Sequence, residues 1–138
     1  MTNEIHKRWL LVTGIGIAAF GPVFSLGSTI ATAEPARWSL DLLSWPLDGN
    51  MDYNAPTTRF LTALTGGFLF GWGIMVLLLR QWVFDLAPDA VRKSVLGGLI
   101  AWCLLDSSGS FASGNASNVL FNILVLATLA GPLWVRAR

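Results

Sequence analysis

A chain of 138 residues is long enough for one domain, and here 54% of the positions are hydrophobic and only 12% are charged. Soluble domains carry about 25% charged residues, so this chain has too little charge to clothe a water-facing surface, and its mean hydropathy of +0.60 agrees. A net charge of +1 without a basic patch gives nucleic acid nothing to bind, and a single cysteine, Cys103, leaves no intramolecular disulfide to form.

A helix needs about 20 apolar residues to cross a bilayer core, at ~1.5 Å rise per residue. The first run, expected as a helix over 9–31, contains no charged side chain between Trp9 and Ile30. Lys7 and Arg8 before it and Ala31-Thr32-Ala33 after it also match a cleaved signal peptide. Signal cores span about 7–15 residues, whereas positions 9–30 make 22, and an uncleaved helix is the expectation. Gly21-Pro22 should kink it, because Pro22 supplies no N–H to the carbonyl of Ala18.

Next, Trp38, Leu42 and Trp45 recur at i, i+4, i+7, with Leu40, Leu43 and Leu47 beside them. That spacing predicts a short amphipathic segment lying on the outer leaflet; Pro46, Gly49, Asn50 and Pro56 then break it. The second long helix is expected over 59–80, opened by Arg59 and closed by Arg80, and the third over 92–113. The fourth is expected over 118–135, with Gly131-Pro132 in its last turn. All four read as helices, since an open strand leaves its backbone unsatisfied in lipid. The expected fold is an all-α membrane protein: residues 1–138 as a single domain, four transmembrane helices in a bundle, and a short amphipathic outer segment between helices 1 and 2.

Lys and Arg set the orientation. With a cytoplasmic N-terminus the inner side holds Lys7, Arg8, Arg80, Arg92, Lys93, Arg136 and Arg138, and the outer side only Arg37 and Arg59. Both termini are therefore expected in the cytoplasm, in a multi-pass protein of a bacterial inner membrane. Trp9, Trp82 and Trp134 fall at the predicted cytoplasmic ends, where indole rings prefer the headgroup level. Gly67 and Gly71 form a Gly-xxx-Gly pair widened by Gly66 and Gly73, and Gly14/Ala18 and Gly97/Ala101 repeat the spacing. Small residues four apart let helix backbones approach closely; packing inside the bundle is expected, with a second copy as the alternative partner.

Chemistry concentrates in the third helix, which is apolar to Leu105 and then reads Asp106-Ser107-Ser108-Gly109-Ser110. A carboxylate within the hydrocarbon core marks a functional-site hypothesis. Arg59 is its expected partner across the bundle, flanked by Ser110 and Asn122. Three readings stand side by side: the cluster fastens helices together, the helix stops at Leu105 and Asp106 lies in a wet loop, or the cluster is a ligand or ion site. The chain has no phosphate-cradling Gly loop with Lys, no zincin pattern and no Ser-His-Asp set, and its lone histidine, His6, cannot build a metal site. No catalytic residue, cofactor or metal is expected.

Ser44-Trp45-Pro46-Leu47-Asp48-Gly49, then Arg59 with Gly66-Gly67 and Gly71-Trp72-Gly73, then Trp102 with Asp106-Ser107-Ser108-Gly109-Ser110, resemble a widespread group of small uncharacterised bacterial proteins with four membrane helices. The likeness spans most of 40–135. It implies the fold and implies no activity; some members are described as DNA-repair proteins, a role to which this composition gives no support. The leading expectation is a non-enzymatic accessory or assembly partner, contacting the lipid bilayer and a membrane-protein partner or a second copy. The alternative is a small transporter or ligand-binding protein using Asp106, and a membrane enzyme acting on lipid would need a nucleophile or metal that the sequence does not offer. Asp106 decides between fastener and site: buried beside Arg59 with no cavity it fastens, and facing a hydrated pocket it becomes a site.

Overall fold

The computed structural model describes residues 2–136. Arg138, counted above in the charge asymmetry, lies outside the described residues. Every regular element of the described chain is a helix: α1 (Asn3–Ser25), α2 (Glu34–Leu43), α3 (Pro56–Leu78), α4 (Pro88–Ala112) and α5 (Ala116–Ala130). With their terminal turns, the stretches Asn3–Ser28, Pro56–Val83, Pro88–Ala112 and Ala116–Trp134 are each long and apolar enough to cross a membrane. Large side chains cover the outside of these helices, with Phe68 71% and Leu105 79% exposed. A belt of that kind suits lipid and not water.

The four expected long helices are present, and each extends beyond its apolar run. The helix expected from residue 9 begins at Asn3, and those expected from 59, 92 and 118 begin at Pro56, Pro88 and Ala116. Hydropathy is silent about polar turns that continue a helix past the hydrocarbon. Proline marks the first turn of α2, α3 and α4, where its fixed φ suits the helix and its missing N–H costs nothing. Pro22 sits inside α1, which gives way to 3-10 turns at Leu26–Ser28 and Ile30–Thr32. A π turn at Leu79–Val83 ends α3, with the Phe84 N–H donating to the Leu79 carbonyl at 2.9 Å. Gly131 ends α5 with φ +40°; a side chain there would also collide with the Trp9 indole.

α1 and α3 form the tightest pair. On α1 the buried residues His6, Leu10, Thr13, Ile17, Gly21 and Phe24 recur every three or four positions, one stripe of a helix. Gly14 and Gly21 on this stripe meet Gly73 and Gly66 on α3. A methyl added at Gly73 would lie 2.6 Å from the Ala18 Cβ and 2.6 Å from the Gly14 carbonyl, and one at Gly66 2.6 Å from the Gly21 carbonyl. The packing role expected of Gly67, Gly71, Gly97 and Ala101 is corrected accordingly. Gly67, Gly71 and Gly97 have nothing within 4 Å of an added methyl, and all four residues are exposed. Gly66 and Gly73 are seven apart and so share a face, which α1 occupies; the Gly67/Gly71 face is rotated away from it.

α4 and α5 make the second pair, a hairpin turned at Gly114 with φ +84°. The two pairs meet at the end of the molecule that carries the termini. There Leu10, Val76, Phe84, Val91, Val95, Leu99, Ala130 and Leu133 form one buried core. Polar groups tie the same end: Lys7 pairs with Asp85, Arg80 Nε donates to the Lys7 carbonyl at 2.8 Å, and Arg92 Nη1 donates to the Leu133 carbonyl at 2.8 Å.

At the far end α2 crosses between the pairs. Ala33 and Ala36 pack with Phe24 and Tyr53, while Trp38 and Leu42, predicted from their spacing, turn outward. The helix stops at Leu43, so Trp45 lies beyond it. Asp41, buried, accepts the Gly49 N–H at 3.1 Å, and Arg37 donates to the Gly49 carbonyl at 2.7 Å and pairs with Glu34. The hydrogen bond from the Arg37 guanidinium holds the Glu34 carboxyl below the usual carboxylate range. One strap joins α2 to the hairpin: Ser117 Oγ donates to the Leu43 carbonyl at 2.6 Å and accepts the Trp45 N–H at 3.1 Å.

Candidate functional site

α4 stays helical through its polar half, to Ala112, so the wet-loop reading of Asp106 is wrong. Local bonds keep it so: Ser108 Oγ donates to the Leu104 carbonyl at 2.7 Å, and Ser110 Oγ to Asp106 Oδ1 at 3.3 Å, one turn apart. The helix ends where Gly114 takes its positive φ and the Asn115 N–H caps the Ser110 carbonyl at 2.8 Å. The short turn aligns the two polar ladders. Ser110 and Asn118 each stand four residues from Gly114, and Asn118 Nδ2 donates to Ser110 Oγ at 2.8 Å and to Asp106 Oδ1 at 3.4 Å. A turn deeper, the buried Asn122 donates to Ser107 Oγ at 3.2 Å.

Asp106, Ser110 and Asn122 thus lie on the same α4–α5 seam, but Asn122 bonds Ser107 and not Asp106. Arg59 does not join them. Its Nη1 donates to the Asn54 carbonyl, because a guanidinium in the first turn of α3 reaches the loop at the wet end more cheaply than the apolar interior. The expected Arg59–Asp106 pair is therefore replaced by donors that carry no charge. Among the described residues Asp106 has no cationic partner, and its second carboxylate oxygen has no protein donor.

That carboxylate faces a crevice. Between the α1–α3 pair and the α4–α5 hairpin, beneath α2, lies a space of about 570 Å³. All five helices line it. Leu69, Trp72, Leu99 and Trp102 make its floor toward the buried core, with the Trp72 and Trp102 rings 6.3 Å apart; Leu40 and Leu43 of α2 roof it. Asp106, Asn118 and Asn122 form a polar patch on one wall, opposite Thr62 and Thr65 of α3. Ligand sites typically occupy about 300–1,000 Å³, mostly apolar with a few convergent polar groups, and this crevice has that form. It has room for a hydrocarbon chain and one acceptor of full charge to hold a donor or cation at the chain's end. Among the described residues no group of three His, Cys, Asp or Glu side chains stands close enough to hold a metal ion.

Sequence reasoning missed Ser107 and the bonding role of Asn118. The distance of each polar residue from the Gly114 turn was the available signal, since an antiparallel hairpin pairs positions about equally far from its turn. The crevice floor had no signal at all, as Trp72 and Trp102 read as ordinary apolar residues. No protein-family model, curated protein or solved structure matches this chain.

Proposed function

We propose that this chain is a non-enzymatic, four-span membrane protein that binds one amphiphilic molecule, its apolar chain in the crevice and a cationic or hydrogen-bond-donating head on Asp106. One observation carries this reading: Asp106 lies on the wall of a 570 Å³ apolar space with uncharged donors as its neighbours. A carboxylate in such a place attracts a positive group far more strongly than it would in water. The Lys and Arg asymmetry supports cytoplasmic termini, with the crevice in the outer half, and the bacterial resemblance supports an inner membrane.

Dodecylamine, dodecanol and laurate share a chain and differ in the head, so calorimetric titration of each into the protein in a neutral detergent tests the reading. The amine should bind tightest, and Asp106→Asn should weaken it at least about tenfold, the worth of one charged hydrogen bond, while weakening dodecanol less. Equal binding of all three, with no effect of Asp106→Asn, would remove the proposal.

A second reading, an accessory or assembly partner within the membrane, is supported by the outward face of α3, where Gly67 and Gly71 are exposed with open space above them. Native mass spectrometry from mild detergent tests it. A lone monomer with no companion, in wild type and in Gly71→Leu alike, counts against it.

A further inference from the structure

At the opposite end of the molecule, away from the crevice, lies a second and smaller pocket of about 170 Å³, lined by Asn3, His6, Pro88, Asp89, Arg92 and Arg136. His6 is 1% exposed although it sits among charged residues near the N-terminus, and its Nε2 is buried with no hydrogen-bond partner. A buried polar atom left unpaired costs about 1–3 kcal/mol, and a ring nitrogen on a pocket wall marks a place where something else supplies the partner.

The surroundings say what charge that partner carries. Arg92 is 8% exposed and held rigidly: Nε and Nη2 donate to Asp89 Oδ1 at 3.0 and 2.9 Å, and Nη1 to the Leu133 carbonyl at 2.8 Å. Further N–H groups of its fork are left for a ligand. Asp89 is the one acid on the wall, and its carboxylate is claimed on both oxygens, by Arg92 and by Lys93 Nζ at 2.9 Å. Arg136 adds a further positive charge. Pro88 and Asp89 place the pocket at the start of α4, where the helix dipole favours an anion. With Arg92, Lys93 and Arg136 against Asp89, the balance is positive. The volume is well below that of a drug-sized site, about 300 Å³ or more, and suits a small group with several acceptor oxygens.

We infer that this pocket binds a phosphate group, held by the His6 imidazole, Arg92 and Arg136 at the start of α4. His6 donates its Nε2–H, which it carries in one neutral tautomer and when protonated. The phosphate belongs to a lipid headgroup or to a free phosphate ion, which present the same oxygens. The inference stands independently of the crevice and of its proposed ligand.

His6 is the sole histidine, so protein labelled with 15N- and 13C-histidine gives one imidazole signal that needs no assignment. The labelled protein in neutral detergent is titrated with inorganic phosphate, with dihexanoyl phosphatidic acid and with sodium chloride as the ionic-strength control. The His6 signal should move saturably with phosphate or phosphatidic acid and stay still with chloride. Saturation by phosphatidic acid at lower concentration than by phosphate assigns a lipid headgroup, and the reverse order assigns the free ion. Arg136→Gln should weaken the preferred ligand about tenfold, whereas Arg8→Gln, which lies off the pocket, should leave it unchanged. The starting His6 signal shows whether each variant keeps the fold, and Asn3→Ala serves if Arg136→Gln does not. A His6 signal that responds to neither ligand, or that titrates identically in Arg136→Gln, overturns the inference.

Discussion

Replacing Gly73 by alanine tests the α1–α3 seam with the smallest possible change. The new methyl would stand 2.6 Å from both the Ala18 Cβ and the Gly14 carbonyl, whereas ordinary contact begins at 3.4 Å. The Gly14 carbonyl is backbone and the Ala18 Cβ is fixed to backbone, so no side chain can rotate away and the helices must part by roughly 1 Å. A gap of about 0.5–1 Å forfeits a quarter to a half of each dispersion contact across it, and overpacking of this kind costs about 1–3 kcal/mol. Alanine's better helix propensity returns about 1 kcal/mol. The net loss is about 0–2 kcal/mol, up to a factor of ~30 in the folding equilibrium. Gly71→Ala supplies the matched control, since its methyl would enter open space; it should be neutral or slightly stabilising. Unfolding in mixed micelles of increasing dodecyl sulfate, followed by circular dichroism, gives both midpoints. If Gly73→Ala unfolds at the same point as Gly71→Ala, the seam is not where the two helices touch.

Thr13→Val removes a hydroxyl bonded to the Leu129 carbonyl at 2.8 Å and the Trp9 carbonyl at 3.0 Å; it should cost about 0.6 kcal/mol, at most ~1.7, in the same assay. For orientation, Asn50→Cys should label with a membrane-impermeant maleimide on intact cells and Ala90→Cys only after lysis, against a silent background because Cys103 is buried; the reverse pattern would invert the topology. The Glu34–Arg37 pair gives a pH test. Glu34 is held low in the folded protein, so its contribution is present above the ordinary carboxylate value and disappears as pH falls through the lowered one. Glu34→Gln should flatten that part of the acid limb in a thermal-midpoint series, and only slightly, since Glu34 is exposed.

The sequence reveals the long helices because a run of uncharged residues admits few other structures in lipid. It reveals α2 through Trp38 and Leu42, and it brings Asp106, Ser110 and Asn122 to neighbouring turns of one hairpin. What it withholds is direction. Arg59 carries a stem long enough to reach inward or back, and only the nearness of the Asn54 carbonyl settles which. Gly66/Gly73 and Gly67/Gly71 are equally plain as small-residue stripes, and which of them meets α1 is decided by how the helices pack. His6 stands among charged residues in the sequence, and in space it lines one pocket with Arg92, Asp89 and Arg136. The crevice is a place where atoms are missing, and no residue type announces that.

The Ser117 strap between the end of α2 and the hairpin has a consequence in time. Ser117 belongs to α5, while Leu43 and Trp45, which it ties, are made more than seventy residues earlier. The glycine seam between α1 and α3 needs nothing from α5, so those two helices can settle while α4 and α5 are still being made. The polar wall arrives only with α4 and α5. Until then α2 has no anchor on that side and the crevice has neither its Asp106 wall nor a fixed roof. The crevice is thus finished after the seam, and a chain interrupted before Ser117 would hold the seam without the crevice wall.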